Sequence, residues 1–166
     1  MVGGRPVDLF RIDTRRKGCG HLAVSADKGQ AIRLTHNGGF EPRESPDGRY
    51  LFYLDRPPAG VVIGGTARLM RLPLGGGPEE LVLDRVRPFQ WSGTDTGIVF
   101  VTREPDFDAI DVYRFSDQQV ARVGRLEFRI PGIIYPHMTV SRDGRWALAT
   151  ELVRFDSDLM RLDNFR

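Results

Sequence analysis

Ser45-Pro46-Asp47-Gly48 returns later in the chain as Ser141-Arg142-Asp143-Gly144 and, in a weaker form, as Ser92-Gly93-Thr94-Asp95. The first residues of these three copies are separated by 47 and 49 residues. The first copy suits a tight turn, because Pro presets φ at the second position, the Asp side chain bonds the local backbone and Gly tolerates the last corner. The chain is therefore predicted to repeat one unit built around a tight turn.

A second sequence pattern repeats at a similar spacing, with its copies 43 and 47 residues apart. An apolar-apolar-Arg-apolar pattern occurs at Leu69–Leu72, Val112–Phe115 and Leu159–Leu162. The 19 Gly and 11 Pro residues divide the chain into short segments, so no long apolar stripe with helical period survives. A period in the forties with several short strands per unit predicts an all-β fold of β-propeller blades, each an antiparallel four-stranded sheet. The first strand of the middle unit is predicted at Pro88–Trp91.

The stretch Leu34–Tyr53 resembles the TolB-type, WD-like propeller repeat of bacterial proteins. Its order is Leu-Thr, a Gly-rich link, a short strand, Ser-Pro-Asp-Gly-Arg and an aromatic-rich strand, which is the order of such repeats. The resemblance covers residues 21–166 and places blade boundaries near residues 40, 87 and 136. Residues 1–20 are interpreted as an uncertain N-terminal segment or the remnant of a preceding blade.

The repeats account for about three to three and a half blades, whereas closed propellers have about four to eight. The ring is therefore predicted to be incomplete. Three interpretations fit this shortfall: the chain is the C-terminal part of a longer propeller, it self-associates through its open blade edges into a closed ring, or it is an open fragment.

Composition narrows the range of partners. There are 24 Lys and Arg against 22 Asp and Glu, so no strong field favours direct binding of nucleic acid by this segment. The apolar stretches are far shorter than the ~20 residues of a membrane helix, so no membrane insertion is expected. The single Cys19 excludes an internal disulfide and a Cys-rich metal site.

No catalytic residue is predicted, because the chain has no G-x-S-x-G, H-E-x-x-H, G-x-x-x-x-G-K-[ST] or C-x-x-C motif. Asp106, Asp108 and Asp111 are close enough in sequence to suggest Ca²⁺ ligands, but their loop lacks EF-hand spacing. They are expected to be solvated carboxylates on a loop between strands. No metal and no cofactor is therefore predicted, and the segment is not expected to be an enzyme.

A binding rim is predicted from the geometry of a propeller. The loops that join the fourth strand of one blade to the first of the next, and the second to the third, gather at one mouth, where binding sites form on a rigid scaffold. Such a mixed polar rim suits a protein or peptide partner, or a polar small ligand. Its predicted residues are His36, Asn37, Glu41, Arg43, Arg56, Arg87, Arg103, Tyr135, His137 and Arg154.

The resemblance implies a non-catalytic interaction or sensing module that forms the C-terminal part of a larger bacterial protein, such as a winged-helix transcriptional regulator or a kinase. Two alternatives stay open. One is the accessory propeller of a hydrolase similar to prolyl oligopeptidases, and the other is a stand-alone envelope protein similar to TolB. These alternatives leave the compartment undetermined between the cytoplasm and the periplasm.

Overall fold

The computed structural model describes residues 22–24, 31–35, 38–55, 65–131 and 138–153. Residues 1–20 lie outside these ranges, and so do six predicted rim residues: His36, Asn37, Arg56, Tyr135, His137 and Arg154.

The described residues form four antiparallel sheets in chain order. The N-terminal sheet has two strands, β1 (Leu22–Val24) and β2 (Ala31–Arg33). Sheet I has four: β3 (Phe40–Glu44), β4 (Tyr50–Leu54), β5 (Ala67–Pro73) and β6 (Glu80–Val86). Sheet II has four: β7 (Trp91–Gly93), β8 (Gly97–Arg103), β9 (Asp108–Arg114) and β10 (Val120–Leu126). Sheet III has two, β11 (Met138–Val140) and β12 (Ala147–Ala149).

Each four-stranded sheet is a meander, in which every strand after the first pairs with the strand that precedes it in sequence. Every regular element in the described part of the chain is a strand, and no sheet closes on itself. The prediction of an all-β fold with incomplete propeller blades is confirmed. Over the same residues, no helical segment has the length and hydropathy to cross a bilayer.

The tight turn between the first two strands of sheet I follows the predicted chemistry. The Ser45 hydroxyl accepts the Tyr50 amide at 2.9 Å and donates to the Asp47 carboxylate at 2.6 Å. Gly48 has a φ of 69°, a conformation that glycine adopts without steric cost. The turn of sheet III repeats both hydrogen bonds, from Trp146 to Ser141 at 3.0 Å and from Ser141 to Asp143 at 2.6 Å.

The middle copy of the turn has a different register from the one that its sequence suggests. Thr94, rather than Ser92, occupies the place of Ser45, because its hydroxyl accepts the Gly97 amide at 3.1 Å and its own amide donates to the Gly97 carbonyl at 2.8 Å. Ser92 lies within β7 and is buried. The turn is two residues shorter than that of sheet I, so the Ser-to-Ser spacing of the sequence does not mark equivalent positions here.

The first strand of sheet II begins at Trp91, so the predicted strand at Pro88–Trp91 is wrong over its first three residues. Phe89 has a φ of 63°, and the Gln90 amide donates to the Arg87 carbonyl at 3.2 Å. This left-handed residue and the hydrogen bond across it form a turn, so strand pairing begins only after them, at Trp91.

The apolar core lies between consecutive sheets. Phe52 and Leu54 of sheet I pack against Trp91, Ile98 and Phe100 of sheet II. Val99 and Val101 of β8 point to the opposite face of sheet II from Ile98 and Phe100. They pack against Met138 at the start of sheet III. Neighbouring side chains along a strand point to opposite faces, so one central sheet contributes to two cores.

Candidate functional site

The connections of sheet II fall at two opposite ends of its strands. The link 87–90, the loop 104–107 and the segment 127–131 lie at one end, which we call the loop end. The short turns between the first and second strands lie at the other, which we call the turn end. Of the four predicted rim residues in the described part of the chain, Arg87 lies in the link 87–90 and Arg103 ends β8 on the loop side, whereas Glu41 and Arg43 lie within β3.

Glu41 and Arg43 contact the first strand of the next sheet. The Glu41 carboxylate accepts the Phe89 amide at 2.9 and 3.0 Å and the indole N–H of Trp91 at 2.9 Å, while the Arg43 guanidinium lies 5.0 Å from the Trp91 ring centroid. Burial raises the pKa of Glu41, and the hydrogen bonds from Phe89 and Trp91 oppose that rise. This carboxylate therefore joins sheet I to sheet II.

Replacing Glu41 with Ala is expected to lower the free energy of unfolding by about 1–3 kcal/mol, because it leaves the Phe89 amide and the Trp91 indole N–H without their acceptor. Chemical denaturation followed by Trp fluorescence measures this. Glu44→Ala, an exposed position of the same strand, is the control and is expected to change stability by less than about 0.5 kcal/mol. Equal effects of the two substitutions would contradict the role given to Glu41.

Asp108 is a buried carboxylate at the centre of an ion cluster at the loop end. Its side chain is fully buried and accepts two hydrogen bonds from Arg103, both 2.8 Å long, and one from the Ile130 amide at 2.8 Å. Arg103 also donates to the Ile130 carbonyl at 2.6 Å. Burial alone would raise the pKa of Asp108, but the hydrogen bonds from Arg103 and Ile130 and the charges of Arg103 and Arg87 outweigh it and lower that pKa.

The expectation that the three neighbouring aspartates are solvated is wrong for two of them. Asp108 is 0% and Asp111 5% exposed, whereas Asp106 is exposed. Asp111 accepts the Thr102 hydroxyl at 2.6 Å and pairs with Arg122 at 3.0 Å. Both buried aspartates belong to β9 rather than to the loop, and arginines compensate their charge. No group of three His, Cys, Asp or Glu residues in the described ranges has the geometry of a metal site.

Arg87 is the least compensated charge in this region. The residue is 4% exposed, and its Nε has no hydrogen-bond partner among the described residues. Burial lowers the pKa of Arg87, and the nearby charges of Arg103 and Arg129 lower it further while Asp108 acts against them. Three guanidinium groups thus share one carboxylate, an arrangement that favours a further anion.

A second unsatisfied group lies three residues away in the same link. The Gln90 amide nitrogen donates to the Pro131 carbonyl at 3.2 Å, while its oxygen Oε1 is buried without a partner in the described structure. Buried polar atoms are nearly always hydrogen-bonded, and the link 87–90 holds two exceptions among the described residues.

A cleft of about 430 Å³ opens beside this cluster at the loop end. Arg129 belongs to both, because it lines the cleft and lies 3.8 Å from the Asp108 carboxylate. Arg125 lies over the Phe107 ring at 4.2 Å from its centroid, and Phe128 adds a second aromatic wall. Asp106 and Glu127 also line the cleft, so its walls combine two arginines, two carboxylates and two aromatic rings into a mixed polar and aromatic surface.

The turn end has a cleft of about 390 Å³, but its charged groups already have partners. Arg142 donates to Asp95 at 2.8 Å and to the Pro46 carbonyl at 2.9 Å, which ties the turns of sheets I, II and III together. Arg49 pairs with Asp47, and Arg71 pairs with Glu80. The charged groups at this end hold the turns together.

The structure brings Arg87 and Arg103 into one cluster and places Glu41 and Arg43 together against Trp91. Sequence reasoning missed Arg129, Arg125 and Gln90 as members of this region, because no motif marks them. The close spacing of the three aspartates drew attention to Asp108, but it suggested a solvated carboxylate instead of a buried one. Only the antiparallel pairing of β9 with β8 and β10 shows which arginines surround it.

No protein-family model matches the sequence, and no curated protein matches it. Solved structures do resemble the fold. TolB from Acinetobacter baumannii aligns with a TM-score of 0.56 at 15% identity over 70% of this chain and 29% of that one. A putative TolB from Agrobacterium tumefaciens aligns with a TM-score of 0.52 at 18% identity over 81% and 51%. An oligogalacturonate lyase in complex with manganese aligns with a TM-score of 0.52 at 14% identity over 80% and 46%.

The chain thus spans between 29% and 51% of the length of these structures. At such identities the likeness concerns the fold alone, and it agrees with the repeat period and with the meander of each sheet. The chain has the fold of a TolB-like β-propeller, present as an incomplete set of blades.

Proposed function

We propose that this segment is a non-catalytic interaction module that binds an acidic peptide segment of a partner protein at the loop end of sheet II. The observation that carries the proposal is Arg87, a buried cation whose Nε has no partner in the described structure and whose nearest charges include two more arginines. Proteins rarely bury an uncompensated charge without a functional reason.

The neighbouring cleft supports the same assignment. It is open to solvent at Arg125 and Arg129, which are both exposed, and its aromatic walls bury apolar parts of a peptide. An acidic side chain that reaches toward Arg129 would approach the cluster around Asp108 and receive charge-assisted hydrogen bonds. The role of a C-terminal module in a larger bacterial protein, such as a winged-helix regulator or a kinase, rests on the repeat resemblance and is part of the proposal.

The test is fluorescence anisotropy with a labelled hexaglutamate peptide, with hexalysine as the probe of opposite charge. We expect Arg125→Gln and Arg87→Met each to weaken hexaglutamate binding by about tenfold, which corresponds to about 1.4 kcal/mol. Arg145→Gln, an exposed arginine at the turn end, is the matched control and is expected to change binding by less than about twofold.

Arg87→Met separates binding from folding. Because it removes a buried charge that lacks a hydrogen-bond partner at Nε, it is expected to leave the free energy of unfolding unchanged or to raise it by about 1 kcal/mol. Loss of binding together with loss of stability would assign Arg87 a structural role instead. Binding that Arg145→Gln weakens as much as Arg125→Gln does would indicate a general surface attraction and contradict the proposal.

A further inference from the structure

The cleft at the loop end of sheet II carries charges of both signs. Arg125 is exposed, and its guanidinium lies over the Phe107 ring, 4.2 Å from the centroid. Asp106 and Glu127 are also exposed, and all three charged residues line the cleft. Within the described ranges, none of the three makes an ion pair or a side-chain hydrogen bond. Their charges are therefore available to a ligand.

Arg129, the other arginine of the cleft, already has acceptors in the protein. It donates to the Glu104 carbonyl at 3.2 Å and to the Pro105 carbonyl, and it lies 3.8 Å from the Asp108 carboxylate. The cleft residues that have no such partner in the described structure are thus one cation and two anions. A ligand that carries only negative charge would compensate the cation and face both anions uncompensated.

Apolar side chains lie between these charges. Leu126 and Phe128 line the cleft, and both are partly buried against the core below it. In sequence they alternate with Arg125 and Glu127. A lysine side chain suits such a surface, because its four-carbon stem packs on apolar groups while its ammonium group reaches a carboxylate.

We propose that the peptide segment bound at this cleft carries a lysine close to its acidic residue. The inference rests on the proposed function and names the charge pattern of its ligand. The acidic side chain pairs with Arg125, and the lysine pairs with Asp106 and Glu127. A second acidic residue in the place of the lysine would meet two carboxylates and be repelled, so the cleft selects against a uniformly acidic segment.

The test is fluorescence anisotropy on the whole chain with two labelled hexapeptides, one of alternating Glu and Lys and one of alternating Glu and Gln. Both carry the same number of glutamates. At low ionic strength we expect the Glu-Lys peptide to bind about fivefold more tightly, because it adds exposed ion pairs of ordinary strength. A general attraction to a chain of net charge +2 predicts the opposite order, since the Glu-Gln peptide is the more negative one.

A double variant, Asp106→Asn with Glu127→Gln, removes both carboxylates and changes the side-chain shapes little. It is expected to reduce the preference for the Glu-Lys peptide to less than about twofold. Both side chains are exposed and lack partners in the described structure, so the variant is expected to remain folded. Glu44→Gln, an exposed carboxylate at the turn end, is the matched control and is expected to keep the preference.

Arg125→Gln is expected to weaken the binding of both alternating peptides by a similar factor, because it removes the partner of the glutamate and leaves both carboxylates in place. Equal affinity of the parent chain for the two peptides would overturn the inference. A preference that survives in the double variant, or one that Glu44→Gln also removes, would do the same. If hexaglutamate binds and lysine adds nothing, this inference alone fails, whereas absence of binding by every peptide overturns the proposed function with it.

Discussion

Replacing Asp108 with Asn is expected to lower the free energy of unfolding by about 3 kcal/mol. This is the lower end of the range for breaking a buried ion pair, because the carboxylate is fully buried while its partner Arg103 keeps 34% of its side chain exposed. The substitution keeps the volume of the side chain but removes its charge. Arg103, Arg87 and Arg129 then lose the carboxylate that offsets their mutual repulsion. The amide group of Asn also places N–H donors where Asp108 accepts three hydrogen bonds.

Urea denaturation at pH 7 measures this loss. Asp117→Asn is the matched control, because Asp117 also pairs with an arginine, Arg114, but with both side chains 44% exposed. Exposed pairs contribute about 0–1 kcal/mol, so the control is expected to be nearly neutral. Similar effects of the two substitutions would contradict the conclusion that the buried Asp108 carboxylate stabilises the fold more than an exposed ion pair does.

The difference between the parent and Asp108→Asn should also depend on pH. The folded-state pKa of Asp108 is lowered, so its contribution to stability is complete above its unfolded value of 3.8 and is lost as the pH falls through the folded value. The two stability curves are therefore expected to converge below about pH 4. A gap that stays constant down to pH 2 would indicate a purely steric effect of the substitution.

Replacing Gly97 with Ala is expected to lower the free energy of unfolding by about 3 kcal/mol, the upper part of the range for overpacking a core. A Cβ at this position would collide with the backbone carbonyl of Tyr113 on the paired strand β9 and would crowd the Cα of Arg114 at 3.3 Å. A backbone atom cannot rotate away as a side chain can, so β8 and β9 must separate. The contact lies at the first residue pair of their ladder.

Thermal denaturation of Gly97→Ala and Gly124→Ala provides the comparison. Gly124 lies in β10, and a Cβ there meets nothing within 4 Å, so this control is expected to be neutral or slightly stabilising. The shorter turn of sheet II also depends on Gly97, whose amide donates to Thr94. A Gly97→Ala variant with the stability of the parent would show that β8 and β9 tolerate a wider spacing than this structure has.

Much of the architecture follows from local rules. Ser45 and Gly48 specify their turn through hydrogen bonds within five residues and through one left-handed φ, so the repeat could be recognised from sequence alone. The turn of sheet II could not be recognised in this way. Thr94, two residues after Ser92, makes the hydrogen bonds that Ser45 makes in sheet I, and because this turn is shorter, the spacing between the serines does not mark equivalent positions.

The candidate site was only partly predictable. Propeller geometry placed Arg87 and Arg103 at one rim, and the structure brings both to the Asp108 cluster. Asp108 itself was expected in solvent, because three aspartates within six residues suggest a loop. Strand β9 instead buries two of them, since its neighbours β8 and β10 carry the arginines that compensate their charge.

By itself, the sequence determined the repeat, the all-β class and the shortage of blades, because turns and strand periodicity depend on residues close together in the chain. Only the tertiary structure decided which charges have partners. Arg87 and Asp108 are far apart in sequence, and their burial depends on how one strand lies beside another. The same holds for Trp146, which has the place of Tyr50 in its turn and differs only in lacking a described sheet beside it.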